Sequence, residues 1–178
     1  SSALSLKSSG IIILSRTHRQ MAHFVEELET IKNSKNFQIP YVELLSRAHY
    51  CINLDVKNLK KNEIDLACNQ SIINNNNYYF CKYRGLEDMK YIKIIDYPND
   101  NIIFGNMENI INYSLKNKIC PYYLARSCIS SYPIIIGTYM YIDKDIRRAL
   151  KLEIKNKIII FDEAHNLLNF FEEKQKKS

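Results

Sequence analysis

The sequence predicts a protein of the α/β class, in which a parallel sheet flanked by helices is interrupted by a small, mostly helical insert. Two observations predict the sheet. Short runs of β-branched residues occur near both ends of the chain, and each adjoins a segment with helical spacing. A third observation predicts the insert, because the middle of the chain carries four of the five cysteines and only short helical patterns.

The first element is a buried strand over residues 11–14, a continuous apolar run that ends at polar residues. Ser15 to His18 would then stand at the carboxyl end of this strand. Apolar residues recur at helical spacing over residues 21–31, and the pattern stops near Asn33. The N-terminal part of the chain therefore predicts a strand, a loop and a helix.

The middle of the chain predicts an insert over residues 46–120. Its helical patterns are confined to residues 63–73 and 107–118, and a run of asparagines at 74–77 indicates a solvated loop. Without a secretion signal, the cysteines are better interpreted as metal or cluster ligands than as disulfides. We expect the insert to be held together by such a ligand set, since its apolar core is small.

The sheet pattern returns after the insert. Pro121 suits the first turn of a helix that continues to Cys128. Further strands are expected at residues 134–136 and 158–161. Tyr139 and Tyr141 could stack on nucleic-acid bases, but core packing is the favoured interpretation. The expected division is thus 1–45 for the start of the sheet domain, 46–120 for the insert and 121–178 for its continuation.

The bulk properties set limits on function. The net charge of +6 permits a polyanionic partner such as nucleic acid. No apolar run approaches the roughly 20 residues that a membrane-spanning helix needs, so no membrane partner is expected. Residues 1–10 lack the features of a secretory signal and begin without Met, which we interpret as a cut inside a longer protein.

Two adjacent acids follow the last predicted strand. Asp162 and Glu163 stand directly after residues 158–161, and this placement suits Mg–nucleotide chemistry. One acid can hold Mg²⁺ while its neighbour orients a hydrolytic water. Taken alone, Asp162 could instead cap a helix. The preceding strand and the following Asn-Leu-Leu favour the functional interpretation.

Residues 162–167, Asp-Glu-Ala-His-Asn-Leu, resemble motif II of the superfamily 2 helicases, in the DEAH form found in the XPD, FANCJ, RTEL and ChlR group. The resemblance implies a RecA-like domain that uses Mg–ATP. It also implies that Asp162 serves Mg²⁺, that Glu163 activates water, and that His165 couples hydrolysis to motion.

Residues 15–20, Ser-Arg-Thr-His-Arg-Gln, resemble motif Ia of the same group. The resemblance implies that Arg16, Thr17 and His18 contact the sugar–phosphate backbone of DNA. Arg16, Thr17 and the amides of a helix start are suitable phosphate donors. The residues alone fit an ordinary capped helix with a solvated arginine pair equally well.

The cysteines supply a third match. Residues 120–126, Cys-Pro-Tyr-Tyr-Leu-Ala-Arg, resemble the segment that holds the fourth ligand of the group's 4Fe–4S cluster. The resemblance implies that the cluster ligands are Cys51, Cys68, Cys81 and Cys120, with spacings C-x16-C-x12-C-x38-C. Without the flanking motifs, zinc or buried free thiols would be preferred. Cys128 is interpreted as a small buried apolar side chain.

Arg47 stands in a Ser-Arg-x-x-x-Cys pattern that matches the group's first cluster ligand. It could screen the negative charge of the cluster or meet DNA, and a plain surface arginine is the alternative. Residues 51–57 most resemble the ChlR branch, whereas residues 79–83 can also be aligned with FANCJ or RTEL.

Two expected parts of such a helicase do not occur in the sequence. The Gly-x-x-x-x-Gly-Lys phosphate loop is missing, and we expect it upstream, with a second RecA-like domain downstream. This piece alone should neither hydrolyse ATP nor unwind DNA. The resemblance implies an ATP-dependent nuclear DNA helicase for repair, replication or chromosome maintenance, with DNA, ATP and the rest of its chain as partners. The rivals are a zinc-stabilised, non-catalytic nucleic-acid or protein-binding module and a catalytically degenerate scaffold.

Overall fold

The computed structural model describes residues 10–35, 40–73, 81–83 and 106–176. These residues divide into two compact units. The sheet unit comprises the described residues up to Leu44 and from Tyr132 onward, and the cysteine unit comprises those from Leu45 to Ser131. The helix after Pro121 belongs to the cysteine unit, so this unit runs past the expected boundary at residue 120. The asparagine run at 74–77 lies outside the described residues.

The sheet unit is built on parallel strands in the order β2-β3-β1-β4. The strands are β1 (Ile11–Ser15), β2 (Tyr41–Glu43), β3 (Ile134–Thr138) and β4 (Ile158–Phe161). Continuous isoleucine runs suit parallel strands that are covered on both faces, and β1 and β3 are mostly buried. The α/β class with a parallel sheet is therefore confirmed.

Seven helices are described, and three of the predicted ones are found close to their expected bounds. In chain order the helices are α1 (His18–Lys35), α2 (Arg47–Tyr50), α3 (Lys61–Ile73), α4 (Met107–Asn117), α5 (Pro121–Ser127), α6 (Lys144–Leu150) and α7 (Leu167–Gln175). Among the described residues, every helix is too short or too polar to cross a bilayer.

Local signals explain where several helices begin. Asn106 caps α4, because its side chain accepts from the Asn109 amide at 3.1 Å. Asp143 caps α6 in the same way, accepting from the amides of Asp145 and Ile146. Pro121 occupies the first position of α5, as predicted, and Cys128 lies just beyond the last residue of that helix.

The sheet places polar residues at one edge. In parallel strands all carboxyl ends meet on the same side, and Leu14 of β1 is in register with Phe161 of β4. The loops that follow these two strands therefore start beside each other. β4 is the least buried strand, since Ile158 and Ile160 remain 38% and 41% exposed.

The aromatic segment after β3 packs in the core, as the sequence favoured. Tyr139 and Tyr141 are 1% and 3% exposed. Tyr141 lies so close to Gly137 that a Cβ on this glycine would be 2.6 Å from the tyrosine ring. The close approach of ring and backbone explains why a glycine interrupts β3.

Candidate nucleotide and cluster sites

The two acids lie at the carboxyl end of β4. The Asp162 amide donates to the Leu14 carbonyl at 2.9 Å, which continues the pairing of β1 and β4 one step beyond the strand. Asp162 does not cap a helix. The following 3₁₀ turn, Ala164–Asn166, is instead preceded by Glu163.

Glu163 has a left-handed backbone, with φ 49° and ψ 52°. This conformation is uncommon for a residue with a Cβ, so surrounding contacts must hold it. Tyr139 supplies such contacts, because its hydroxyl lies within hydrogen-bond reach of the carbonyl oxygens of both Asp162 and Glu163. The Tyr139 ring also packs edge-on against Phe161 and Phe170.

The Tyr139 hydroxyl is kept as a donor. Its burial raises the pKa, and the nearby carboxylates of Asp162 and Glu163 raise it further, with a partial offset from Arg16. A protonated phenol has one hydrogen, which the two carbonyls share. From the sequence, Tyr139 was considered only for base stacking or core packing, and its contact with the acidic turn was not predicted.

The motif Ia loop meets the acidic turn directly. The side-chain amide of Gln20 donates to Oε2 of Glu163 at 2.8 Å, and the side-chain amide of Asn166 donates to the same oxygen at 3.2 Å. Arg16 donates to Oδ1 of Asn166 at 3.4 Å. Gln20 and Asn166 were not among the predicted site residues, although both stand inside the quoted motifs.

The same glutamine closes a capping box at the start of α1. Oε1 of Gln20 accepts from the backbone amide and from the hydroxyl of Thr17, each at 3.0 Å. In return, the backbone amide of Gln20 donates to the Thr17 hydroxyl at 3.3 Å. The ordinary capped helix is thus present. The cap coexists with the contact to Glu163, because the side-chain oxygen of Gln20 accepts from Thr17 while its NH₂ group donates to Glu163. His18, the third predicted residue of the loop, is the first residue of α1.

The four predicted cysteine ligands line a single pocket in the cysteine unit. The thiols on its wall are those of Cys51, Cys68, Cys81 and Cys120. Val56, Ile64 and Ala67 form its apolar wall. Cys51 follows α2, Cys68 belongs to α3, and Cys120 immediately precedes α5.

The thiols converge without closing on one point. Among the described residues, no three cysteine, histidine or acidic side chains are close enough to hold one metal ion. Thiolates bound to one zinc ion must all lie about 2.3 Å from the metal. Four thiols on one pocket wall are also the donor set that an iron–sulfur cluster uses, so the residues present are compatible with one.

Burial makes Cys51 and Cys120 weaker acids than a free cysteine. It raises the pKa of Cys120 to about 11, and the thiols of Cys81 and Cys68 add to the rise. The backbone amides of Tyr123 and Tyr122 act in the opposite direction. Burial also raises the pKa of Cys51. Binding of iron at these sulfurs must therefore displace protons.

Arg47 lines the same pocket and is held within the cysteine unit. Its guanidinium lies 4.4 Å from the centre of the Tyr122 ring and forms a 3.2 Å ion pair with Asp65. Arg126 lies 3.4 Å from the same ring centre and donates to the carbonyl oxygens of Leu45 and Tyr122. Sequence reasoning assigned no role to Arg126, although it is the last residue of the quoted motif at residues 120–126.

Cys128 does not line the pocket. Its side chain is fully buried and its S–H donates to the Leu124 carbonyl at 3.3 Å. Burial raises its pKa to about 12. This is the environment expected of a small apolar side chain.

Known proteins resemble this chain over nearly its whole length. A homologue of regulator of telomere elongation helicase 1 from Caenorhabditis briggsae is 34% identical over 160 residues, which cover 88% of this chain and 15% of that protein. The ATP-dependent DNA helicase CHL1 of Kluyveromyces lactis is 28% identical over 166 residues, covering 89% of this chain and 20% of that protein. The chain thus spans a small part of these relatives.

A solved structure described as truncated XPD shares the fold. It superimposes with a TM-score of 0.57 at 21% identity and covers 90% of this chain and 42% of that chain. The profile of the DEAD_2 family matches residues 13–178. The resemblance to the XPD and RTEL group of superfamily 2 helicases is confirmed, and the chain belongs to the DEAD_2 family.

Proposed function

We propose that this chain is part of an ATP-dependent DNA helicase, in which it supplies the DEAH turn, a DNA-contacting loop and a cluster-binding insert. One observation carries the proposal. The motif Ia loop after β1 and the acidic turn after β4 are joined by hydrogen bonds from Gln20 to Glu163 and from Arg16 to Asn166. Ligands of open α/β sheets bind outside the carboxyl ends of the strands, which is where these groups lie.

The acidic turn is suited to nucleotide hydrolysis. Asp162 is assigned the role of binding Mg²⁺. Glu163 is assigned the role of general base, which would accept a proton from the water that attacks the terminal phosphate. His165 is assigned to coupling; its ring nitrogen lies 3.0 Å from the Asn166 side-chain amide, so it is linked to the same turn. When bound, Mg–ATP supplies the phosphoryl group and a metal charge that this chain's acids balance. The phosphate loop is assigned to a segment outside residues 1–178.

The motif Ia loop is assigned to the DNA backbone. Arg16 provides a charged guanidinium, Thr17 provides a hydroxyl and an amide, and His18 opens α1 beside them. These groups fit phosphate oxygens and read no base, so the contact would be independent of sequence. Its affinity should fall as salt is raised, because phosphate contacts release counterions.

The cysteine pocket is assigned to a 4Fe–4S cluster held by four thiolates. The supporting observations are the pocket that the four cysteines share and its apolar wall. Arg47 lines this pocket and is assigned to screening the cluster's negative charge. Its contacts with Tyr122 and Asp65 favour this role over a DNA contact.

The setting of the whole protein follows from its relatives. Those relatives are named as a telomere elongation regulator and an ATP-dependent DNA helicase. We infer for the intact protein a nuclear role in chromosome maintenance, repair or replication, with DNA, ATP and the remaining helicase segments as partners. The net charge of +6 is compatible with a DNA partner.

Glu163→Gln in the full-length protein tests the proposal. The substitution keeps the shape of the side chain and removes the base, so nucleotide binding should persist while turnover falls by roughly a hundredfold or more. Glu172→Gln, on the exposed surface of α7, is the control and should hydrolyse ATP at the normal rate. Normal turnover in Glu163→Gln would contradict the assigned role. Absence of ATP hydrolysis in the unmodified protein would instead identify a scaffold.

Iron and acid-labile sulfide analysis separates the cluster from the zinc alternative. A protein purified without oxygen should be brown and contain about four irons and four sulfides per chain. A colourless protein with stoichiometric zinc would remove the cluster assignment and support a zinc-stabilised module.

A further inference from the structure

We propose that Gln20 is a latch residue that restrains Glu163 until DNA binds to the motif Ia loop, so that the same side chain makes ATP hydrolysis depend on DNA. The inference rests on the proposed function and adds a positioning residue to it. It is drawn from the atoms that meet between the loop after β1 and the turn after β4.

The Glu163 carboxylate is held by two neighbouring side chains. Oε2 of Glu163 accepts two hydrogen bonds, from the side-chain amides of Gln20 and Asn166 at 2.8 and 3.2 Å. A general base must direct a free lone pair at a water molecule within hydrogen-bond reach. Two donors on Oε2 occupy the lone pairs of that oxygen and hold the whole carboxylate in one orientation, so the group is not free to turn toward an attacking water.

Thr17 and Arg16 hold the side-chain amides of Gln20 and Asn166 in place. Gln20 is positioned by the amide and hydroxyl of Thr17, which both donate to its Oε1. Asn166 is positioned by Arg16, which donates to its Oδ1. The donors that hold the latch closed are therefore those proposed to contact DNA.

A DNA phosphate would compete for the donors on Arg16 and Thr17. A backbone phosphate oxygen is a charged acceptor and binds these donors more strongly than a neutral amide oxygen does. A phosphate that recruits Arg16 and Thr17 would remove the anchors of Asn166 and Gln20. Both amides could then turn away and leave Oε2 of Glu163 available to water.

The location of the contacts makes release feasible. The bonds among Thr17, Gln20, Glu163 and Asn166 are all solvent-exposed, so their loss leaves no buried polar group unpaired. The backbone of Glu163 is held separately by Tyr139 from the core side. Release would thus free the carboxylate while the turn itself stays in place.

The test compares two substitutions of Gln20 in the full-length protein. Gln20→Ala removes both ends of the latch. Gln20→Glu retains an acceptor for the Thr17 cap, because glutamate is favourable at this capping-box position, but it removes the donor to Glu163. Each should raise the DNA-free ATPase rate by roughly fivefold, the equivalent of one hydrogen bond. The stimulation by single-stranded oligothymidylate should fall by a similar factor. Glu27→Gln, on the exposed surface of α1, should change neither rate.

A second readout does not require hydrolysis. In the isolated chain, the NMR signals of the Gln20 side-chain amide should shift when oligothymidylate is added, and Arg16→Ala should abolish the shift. An unchanged DNA-free rate and stimulation factor in both Gln20 variants would overturn the latch, as would an unshifted Gln20 signal at saturating oligothymidylate. Normal turnover in Glu163→Gln would overturn the proposed catalytic role instead, so the two failures are distinguishable.

Discussion

The two units of this protein keep their functional groups in place by different means. In the sheet unit, backbone pairing of β1 with β4 determines which loops are neighbours, and the isoleucine-rich core supports that pairing. In the cysteine unit, short helices surround a pocket to which four thiols contribute. The first site is fixed by the fold itself, whereas the second is expected to gain much of its rigidity from the group it binds.

Removal of one cluster ligand should produce the largest difference between the units. Cys120→Ser leaves an incompletely ligated cluster, so iron should be lost and protease resistance should fall within residues 45–131. The sheet unit should keep its resistance. Cys128→Ala is the matched control, since Cys128 is buried away from the pocket, and it should retain iron. Full iron content and unchanged proteolysis in Cys120→Ser would argue against this ligand set.

Gly137→Ala should disturb the sheet unit selectively. The added methyl group would lie 2.6 Å from the Tyr141 ring, so the ring or the strand must move. We expect a loss of roughly 1–3 kcal/mol in the free energy of unfolding, measured by urea denaturation, with iron content unchanged. Lys155→Ala, an exposed substitution in the same unit, provides the reference. A Gly137→Ala protein as stable as the reference would show that the close contact is easily relieved.

Tyr139→Phe should have a smaller effect, centred on the acidic turn. The substitution removes the hydroxyl that contacts the carbonyls of Asp162 and Glu163 and keeps the ring packed on Phe161. The free energy of unfolding should fall by about 1 kcal/mol. ATP turnover of the full-length protein should decrease, because the left-handed turn at Glu163 loses a support. Equal turnover and equal stability would mean that the turn holds itself.

Arg47→Lys should give the smallest effect, confined to the cysteine unit. Lysine keeps the charge but loses the planar stacking on Tyr122 and the fork geometry of the pair with Asp65. Iron content should stay normal, while a chelator should remove iron about two- to fivefold faster, as expected for loss of roughly 0.5–1 kcal/mol. Absorbance followed after chelator addition measures this rate. An unchanged rate would show that Arg47 contributes only its charge.

The sequence predicted the sheet unit well where a strand could be recognised from its own residues. β1, β3 and β4 each begin with three consecutive isoleucines, and β1 and β3 are buried as that pattern predicts, whereas β4 stays partly exposed. β2 was missed because it has three residues, one of which is the buried Glu43. α6 and α7 were expected only as helix-like segments next to strands, without bounds; their apolar residues form no clear stripe, although Asp143 is a recognisable cap.

The candidate sites were predicted residue by residue, but not as an arrangement. The contact between Gln20 and Glu163 joins positions 143 residues apart and depends on β1 lying next to β4, which no local pattern specifies. The left-handed backbone at Glu163 is likewise a tertiary effect, since glutamate does not favour it. The cysteine ligand set came from resemblance to a family, because the wide spacings alone allow several metal centres.

Hydrogen exchange before and after anaerobic removal of iron tests the comparison most directly. We expect the backbone amides of α3 and α5, which carry or adjoin Cys68 and Cys120, to lose protection when iron is removed. Amides of β1 and β3 should exchange at the same rate in both samples. Equal protection of α3 and α5 with and without iron would contradict the claim that the bound group organises the cysteine unit.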